Sequence, residues 1–506
     1  MPPEQGAPQP VGPTGVPSHQ LYIELGGETE AFDVSGRAWH GPSGRDIILS
    51  EPPHRDGPPP FDVATAPSPR ALLIERLNAP VQVAFTLSVL LSLPFIVYVL
   101  VFFAGFDLTK VTYPLIAAAL AMTVAALLVE GISATRRVAP PGAPPGAYPP
   151  ATAVIAADLS SDAASIVETV SGMLGQGYPG EFEVILAYSS SECLPVEETL
   201  ADMAARDPRL VTLNLGAGSS IGDHLAAALE RARGEMIGVF DADDRPEPGS
   251  FARAWRWLSR GQDVVQGHRV VRNGSTSWVA RLVAVDFERI YAVGQAGRAR
   301  LHGLGWSSRP NTYWRRDVLA KARAQQENLA TDIAYTGRGG GPDLSVSTDR
   351  GLLSSVLAPT TMGALWQQRM QWARGRAEPA QQHLRPVVGL PGARTRLRAK
   401  VVKGCAQVAP WVTVQVFPLL AFVAWRDRGW GHIGSLVPLL TLLGALVVSV
   451  GVVQPVLAYR LGDDRIRHHR SWFVLYAVHS MLWFGELKHV VTWVAQLGLG
   501  KPAERH

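Results

Sequence analysis

Residues 238–248 read Gly-Val-Phe-Asp-Ala-Asp-Asp-Arg-Pro-Glu-Pro, and within them Asp241 and Asp243 stand two positions apart where an apolar strand runs out. Carboxylates at i and i+2 on a turning backbone can offer oxygen ligands to one Mg²⁺ or Mn²⁺ while leaving its other positions to phosphate oxygens. Such an ion would offset charge on a departing nucleotide diphosphate. Acidic residues also gather in turns to cap and solvate them, so the pair alone is a weak signal. Its setting sharpens it: the pair lies in a polar block flanked by apolar runs long enough to cross a bilayer.

The elements that must position the pair follow from the alternation of short apolar runs and helical stretches between Ala153 and about Pro386. Ala153-Val-Ile-Ala-Ala, Glu183-Val-Ile-Leu-Ala, Leu210-Val-Thr-Leu and Met236-Ile-Gly-Val-Phe are expected strands, with helices near 163–175, 196–205 and 222–233. This alternation predicts a largely parallel α/β sheet covered on both faces. Ligands of such sheets bind beyond the carboxyl ends of the strands, where Asp241 and Asp243 fall.

Composition divides the chain. With 506 residues, 47% of them hydrophobic, it is too apolar for an ordinary soluble enzyme and too charged to be only a bundle of membrane spans. The net charge is a modest +4, and no run of lysine and arginine is interleaved with aromatics, which argues against nucleic acid as a partner. Cys193 and Cys405 are the only cysteines and lie far apart, so neither a disulfide framework nor a thiolate metal site is expected.

Residues 1–75, rich in Pro, Gly and charge, read as a mostly flexible tail with strand-like patches at Leu21-Tyr-Ile-Glu-Leu and Ile47-Ile-Leu that could make a small β-element. The first residues lack the basic start and apolar core of a cleaved secretory signal. Val81–Ala104 and Val111–Val129 form an expected membrane hairpin within 76–137, followed by a Pro/Gly linker over 138–152. The polar domain occupies 153–386, and 387–506 holds interfacial and transmembrane helices, with spans expected at Gly404–Trp425 and Ile433–Tyr459. Ser471–Gly500 is interrupted by Glu486, Lys488 and His489; a fifth span, a re-entrant helix and an interfacial helix all fit it. Four or five spans result. Arg70, Arg76, Arg136 and Arg137 flank the first hairpin, and Arg396, Arg398, Lys400, Lys403, Arg460, Arg465, Arg467 and Arg470 flank the second. Both sets place the flanks, and the polar domain with them, on the cytoplasmic side of a plasma (inner) membrane.

Beyond the acidic pair come Ala330-Thr331-Asp332 and then Gln367-Gln-Arg-Met-Gln-Trp-Ala-Arg-Gly-Arg376, ahead of a membrane hairpin. This order of an Asp-x-Asp, a Thr-Glu-Asp-like site and a Gln-x-x-Arg-Trp-like segment resembles the membrane-integrated family-2 glycosyltransferases, which include cellulose, chitin and hyaluronan synthases. The likeness covers about residues 80–460; Ala358-Pro-Thr-Thr and Arg315-Arg316-Asp317-Val-Leu add to it. It implies a GT-A-type (Rossmann-like) cytoplasmic domain combined with α-helical transmembrane regions. By the same resemblance Asp241 and Asp243 hold Mg²⁺ or Mn²⁺, and Asp332 is the base that takes the acceptor proton. Asp158, Asp241, Gln368 and Arg369 contact the donor diphosphate or nucleotide, and Trp372 and His302 face the acceptor sugar. The chain departs from the family pattern at Ala330, at Gln371 where an Arg usually precedes the Trp, at Ala187-Tyr188-Ser189 after the second strand, and at Ala156-Ala-Asp-Leu-Ser after the first.

Plainer roles stand beside these. Asp332 can cap a helix or pair with Arg338, Trp366 and Trp372 can lie on an amphipathic helix at the bilayer surface, and His302 can be an ordinary loop histidine. Trp255 and Trp257 read as packing residues, and His468-His469 as part of a basic loop at the membrane edge. The resemblance implies an inverting transferase that uses a UDP-sugar, or a GDP-sugar second, to elongate a β-linked polysaccharide through the bilayer. Single addition to a lipid carrier or glycolipid is the alternative acceptor chemistry. A weakly active scaffold subunit for cell-envelope protein partners is the non-catalytic alternative.

Overall fold

A computed structural model describes residues 20–25, 28–33, 69–136, 139–144, 146–190, 194–302, 310–324, 345–382, 411–427 and 433–496. Asp332, Cys193, Cys405 and most of the expected N-terminal tail lie outside the described residues. The chain divides into two compact units, residues 1–66 and 67–506. In the first, β1 (Gln20–Leu25) and β2 (Glu28–Asp33) pair antiparallel with Leu25 opposite Glu28, which places a strand where the Leu21-Tyr-Ile-Glu-Leu patch predicts one.

The second unit begins with α1 (Pro69–Phe103) and α2 (Thr109–Thr135), whose lengths and apolar sequences leave no polar face. Leu100, Phe103, Leu115 and Ile132 are each at least 60% exposed, an arrangement suited to lipid and costly in water. Asp107 caps the turn between the helices by accepting from the Thr109 backbone N–H at 3.0 Å.

An eight-stranded sheet follows, built from β3 (Ala151–Asp158), β4 (Phe182–Ser189), β5 (Leu210–Asn214), β6 (Met236–Asp241), β7 (Arg245–Pro246), β8 (Val264–Val271), β9 (Thr312–Arg315) and β10 (Val346–Val356), in the spatial order β5-β4-β3-β6-β9-β8-β10-β7. Strands β3 to β6 are parallel to one another, and β8 and β10 pair parallel. β9 runs antiparallel between β6 and β8, and β7 antiparallel on β10. The four strands expected from sequence are present; the mixed half of the sheet was not foreseen.

Helices α3 (Leu159–Leu174), α4 (Pro195–Arg206), α5 (Ile221–Arg231) and α6 (Ser250–Leu258) cover the sheet. α3 starts where the Asp158 carboxylate accepts from the Ser160 backbone N–H at 3.1 Å, and it buries Leu159, Ile166, Val170 and Met173 at helical spacing. α5 starts with a capping box between Ser220 and Asp223. Trp257 is buried as expected, donating Nε1 to Asp349 at 2.8 Å.

A long helical segment then connects the sheet to the apolar helices: α7 (Trp278–Glu288), a π-helical stretch Arg289–Gln295, and α8 (Ala296–His302). After α9 (Arg316–Ala324) and β10 come α10 (Met362–Gln382), α11 (Val416–Arg426), α12 (Val437–Leu461), α13 (Asp464–Arg467), α14 (Arg470–His479) and α15 (Gly485–Gln496). A core of Val283, Phe287, Leu365, Ala458, Trp472 and Tyr476 joins α7 to α10, α12 and α14. A second cluster packs Met370 and Ala373 of α10 against Leu90 of α1 and Val491 and Val494 of α15.

Among the described residues, three helices are long and apolar enough to cross a membrane: Val83–Phe103, Thr109–Thr135 and Val437–Leu461. Trp411–Arg426 is a shorter apolar helix that overlaps the expected Gly404–Trp425 span.

Candidate active site

β6 and β3 deliver the site. Their register sets Ala156 opposite Asp241, so Asp158 and the Asp241–Asp244 turn emerge side by side from the same edge of the sheet. Strand order reverses at β3, with β4 and β5 on one side and β6 on the other, the kind of position at which α/β sheets bind their ligands. Gly238 lets β6 pass the ring of Phe251; an added Cβ would lie 2.6 Å from its Cζ.

At the end of β6, Asp241, Asp243 and Asp244 bring carboxylate oxygens within 4.8 Å of one another. Asp241 and Asp243, paired in the sequence reading, are therefore brought together, and Asp244 joins them. Arg269 of β8 threads the cluster: Nη2 lies 3.4 Å from Asp241 Oδ2 and 3.5 Å from Asp243 Oδ1, and Nε 3.0 Å from Asp244 Oδ1. The cluster is fastened further by Ser354 Oγ donating to Asp244 at 2.9 Å and by the Leu357 backbone N–H donating to Asp243 at 3.1 Å. Arg272 Nη1 donates to the Asp243 carbonyl at 2.9 Å and the Ser355 carbonyl at 3.0 Å, tying the turn to β10.

Asp244 is fully buried, and burial pushes its carboxyl up to about 7 against the pull of Arg269. The three neighbouring carboxylates hold the Arg269 guanidinium charged, well above its ordinary value, although burial opposes this. Asp162, in the first turn of α3, is raised to about 6, first by burial and further by the charges of Asp243 and Asp241. Its Oδ2 accepts from the Asp158 backbone N–H at 3.0 Å. A set of hard carboxylate oxygens suits Mg²⁺ or Mn²⁺, with Asp241 and Asp243, more open than Asp244, as the ligands at hand.

The remaining expected residues divide. Asp158 lies at the crevice edge, its Oδ1 accepting from Ser160 Oγ at 2.7 Å. Asp332 lies outside the described residues, and so does the side chain of His302, whose backbone ends α8. Gln368 is half-buried on α10, and its Oε1 is buried with no hydrogen-bond partner among the described residues. Trp372 is half-buried beside Phe287, with ring centroids 6.1 Å apart. Arg369 is buried and donates Nη2 to Asp286 at 3.0 Å.

Asp162, Asp244 and Arg269 were missed from sequence. Asp244 was within reach, as the last acid of Asp-Ala-Asp-Asp. Arg269 had no local signal, since only the placement of β8 carries it to the cluster.

Residues 159–321 match the family described as Glycosyl transferase family 2. The chain is 23% identical over 345 residues to an N-acetylglucosaminyltransferase of Sinorhizobium fredii, covering 60% of this chain and 79% of that protein. It is 22% identical over 219 residues to a poly-beta-1,6-N-acetyl-D-glucosamine synthase of Staphylococcus epidermidis, covering 42% of this chain and 52%, about half, of that protein. Among solved structures it is similar to the Pyrobaculum calidifontis mannosyltransferase PcManGT in complex with GDP-Man and Mn²⁺, with 17% identity, a TM-score of 0.47, and 73% of this chain and 98% of that chain covered. The matched segment spans the acidic cluster and Arg269 and ends before Asp332 and α10. Residues 159–321 of this chain are thus a family-2 glycosyltransferase domain, set in a GT-A-like sheet and accompanied by helices long and apolar enough to cross a membrane.

Proposed function

We propose that the chain is an inverting, metal-dependent transferase of the plasma membrane that uses a nucleotide-diphosphate sugar to elongate a β-linked polysaccharide and pass it through its own apolar helices. The carboxylate cluster at the end of β6 carries this reading. It sits at the crevice of a GT-A-like sheet, and its donor set suits a divalent ion beside a diphosphate. When bound, the ion would offset the charge that gathers on the leaving diphosphate. Asp241 and Asp243 would hold it, with Arg269 keeping the third carboxylate, Asp244, compensated.

Asp332 then accepts the proton of the acceptor hydroxyl as its oxygen bonds to the anomeric carbon and the bond to the diphosphate breaks on the opposite face, inverting that centre. Asp158 and Gln368 contact the donor, and Trp372 and His302 the acceptor. A UDP-sugar is the first donor to try, and the names of the bacterial relatives favour N-acetylglucosamine as the sugar.

The test is turnover of radiolabelled UDP-N-acetylglucosamine by the purified protein in lipid vesicles with Mn²⁺, reading product length beside Asp332→Asn and Asp241→Asn. Long product that is absent from both variants supports the synthase. Short lipid-linked product selects single addition instead. With UDP- and GDP-linked sugars all tried, no turnover together with no Mn²⁺-dependent nucleotide binding overturns the enzyme reading and selects the scaffold.

A further inference from the structure

The transfer chemistry leaves a buried carboxylate on α7 unused. Asp286 is fully buried and accepts three hydrogen bonds from three directions: Tyr476 Oη of α14 at 2.9 Å, Arg289 Nε at 3.1 Å, and Arg369 Nη2 of α10 at 3.0 Å. A buried ion pair of this kind adds little net stability over apolar packing of the same volume, because two charges must first leave water. What it does supply is orientation, since a planar guanidinium held through Nη2 has a defined face.

That face is against Trp372. The Arg369 Cζ lies 4.4 Å from the centre of the Trp372 ring, and the two residues share one side of α10 at i and i+3. Phe287, the residue after Asp286, meets the same indole at 6.1 Å between centroids. Two consecutive residues of α7 therefore bear on Trp372: Asp286 through Arg369, and Phe287 by direct ring contact. Trp372 remains half-buried, with part of its surface open.

We propose that Asp286 is a positioning residue for the acceptor: it anchors the Arg369 guanidinium, which sets the Trp372 indole in the orientation that receives the terminal sugar. This rests on the reading of Trp372 as an acceptor contact. Indole packing on a pyranose is directional, so a loosened ring weakens acceptor binding while the donor crevice at the end of β6 is unaffected.

The experiment uses the full chain in lipid vesicles with UDP-N-acetylglucosamine and Mn²⁺, titrating β-linked N-acetylglucosamine oligosaccharides as acceptor. Asp286→Asn is expected to raise the acceptor KM about tenfold and to leave the donor KM within about twofold of the parent, with Asp286→Glu restoring part of the loss. Arg369→Lys keeps the charge opposite Asp286 but loses the flat guanidinium, and is expected to raise the acceptor KM in the same way. Should Asp286→Asn fail to fold, Arg369→Lys decides the matter. A purely structural role lowers the amount of active enzyme at constant acceptor KM, and that result overturns the proposal, as does a parallel rise of both KM values. Trp372→Ala separates the two layers. An unchanged acceptor KM in that variant sinks the acceptor reading itself, whereas a raised value beside an unaffected Asp286→Asn sinks only the positioning role.

Discussion

Arg269 places one guanidinium among three carboxylates, and the balance among these charges determines how the site responds to substitution. Replacing it by Met leaves Asp244 buried without its counter-charge, which is expected to cost about 3–5 kcal/mol, read as a lower thermal unfolding midpoint. Mn²⁺ should recover part of that loss, because a cation bound only by the folded state stabilises it. Asp241→Asn and Asp243→Asn act in the opposite sense, since each removes one of several like charges. They should leave the midpoint unchanged or higher while abolishing Mn²⁺-dependent nucleotide binding in a calorimetric titration. Asp162 gives a pH signature. Its carboxyl is raised from an ordinary value of 3.8 to about 6, so the folded state binds the proton more tightly than the unfolded one. The resulting penalty on stability is absent below pH 3.8, grows as pH rises to about 6, and is complete above it. Asp162→Asn retains an oxygen for the Asp158 N–H. In a chelator, after allowance for solvent screening, it should gain on the order of 1 kcal/mol at pH 8 and nothing at pH 3.5.

At the scale of elements, β8 is the strand on which the site depends, and Gly267 is its tightest point. A Cβ there would meet the Asn311 carboxamide and lie 2.5 Å from the Leu352 carbonyl, so β8, β9 and β10 could not keep their spacing. Gly267→Ala is expected to destabilise the fold by about 1–3 kcal/mol and to lower activity more than stability alone explains, since Arg269 lies two residues on. Circular dichroism melts beside kcat measurements would check this. Asn311 itself has φ of 56°, a left-handed conformation that Asn tolerates better than most residues, and its side chain donates to the Leu352 carbonyl at 3.0 Å. β3 to β6 were legible because strands buried on both faces read as apolar runs. β9 and β10 were not, since they carry polar residues such as Thr312, Ser354 and Asp349, whose partners come from elsewhere in the fold. Asp349, for example, is held by Arg253 Nε at 2.8 Å and Nη2 at 2.9 Å.

For the whole molecule, the sheet domain is packed onto the apolar helices through α7, α8 and α14. Gly297 of α8 has room for no side chain against the Glu130 backbone of α2, and Arg298 reaches the Glu130 carboxylate at 3.4 Å. Arg350 of β10 donates to the Ala134 carbonyl near the end of α2. Coupling of this kind means that detergent extraction, not an alkaline carbonate wash, should release the protein from membranes, as separation by ultracentrifugation would show. In a variant lacking Cys193 and Cys405, a cysteine placed at Phe106, between α1 and α2, should be labelled by an impermeant maleimide from outside intact cells. One placed at Arg233 in the sheet domain should be labelled only after lysis. The reverse pattern would invert the topology drawn from the flanking arginines.

The sequence by itself determined the class of this protein: apolar runs too long for a soluble core, parallel strands marked by unbroken apolar stretches, and an acidic pair at a strand end. Each is a local property, visible in neighbouring residues because backbone period and solvent preference act over a few positions. Tertiary structure alone decided which charges meet. Arg269 joins Asp241, Asp243 and Asp244 only because β9 is inserted between β6 and β8, and Asp286 meets Arg369 and Tyr476 only because three helices converge. Pairing of buried charges is set by proximity across the fold, so residues far apart in sequence complete the site that the local motif begins.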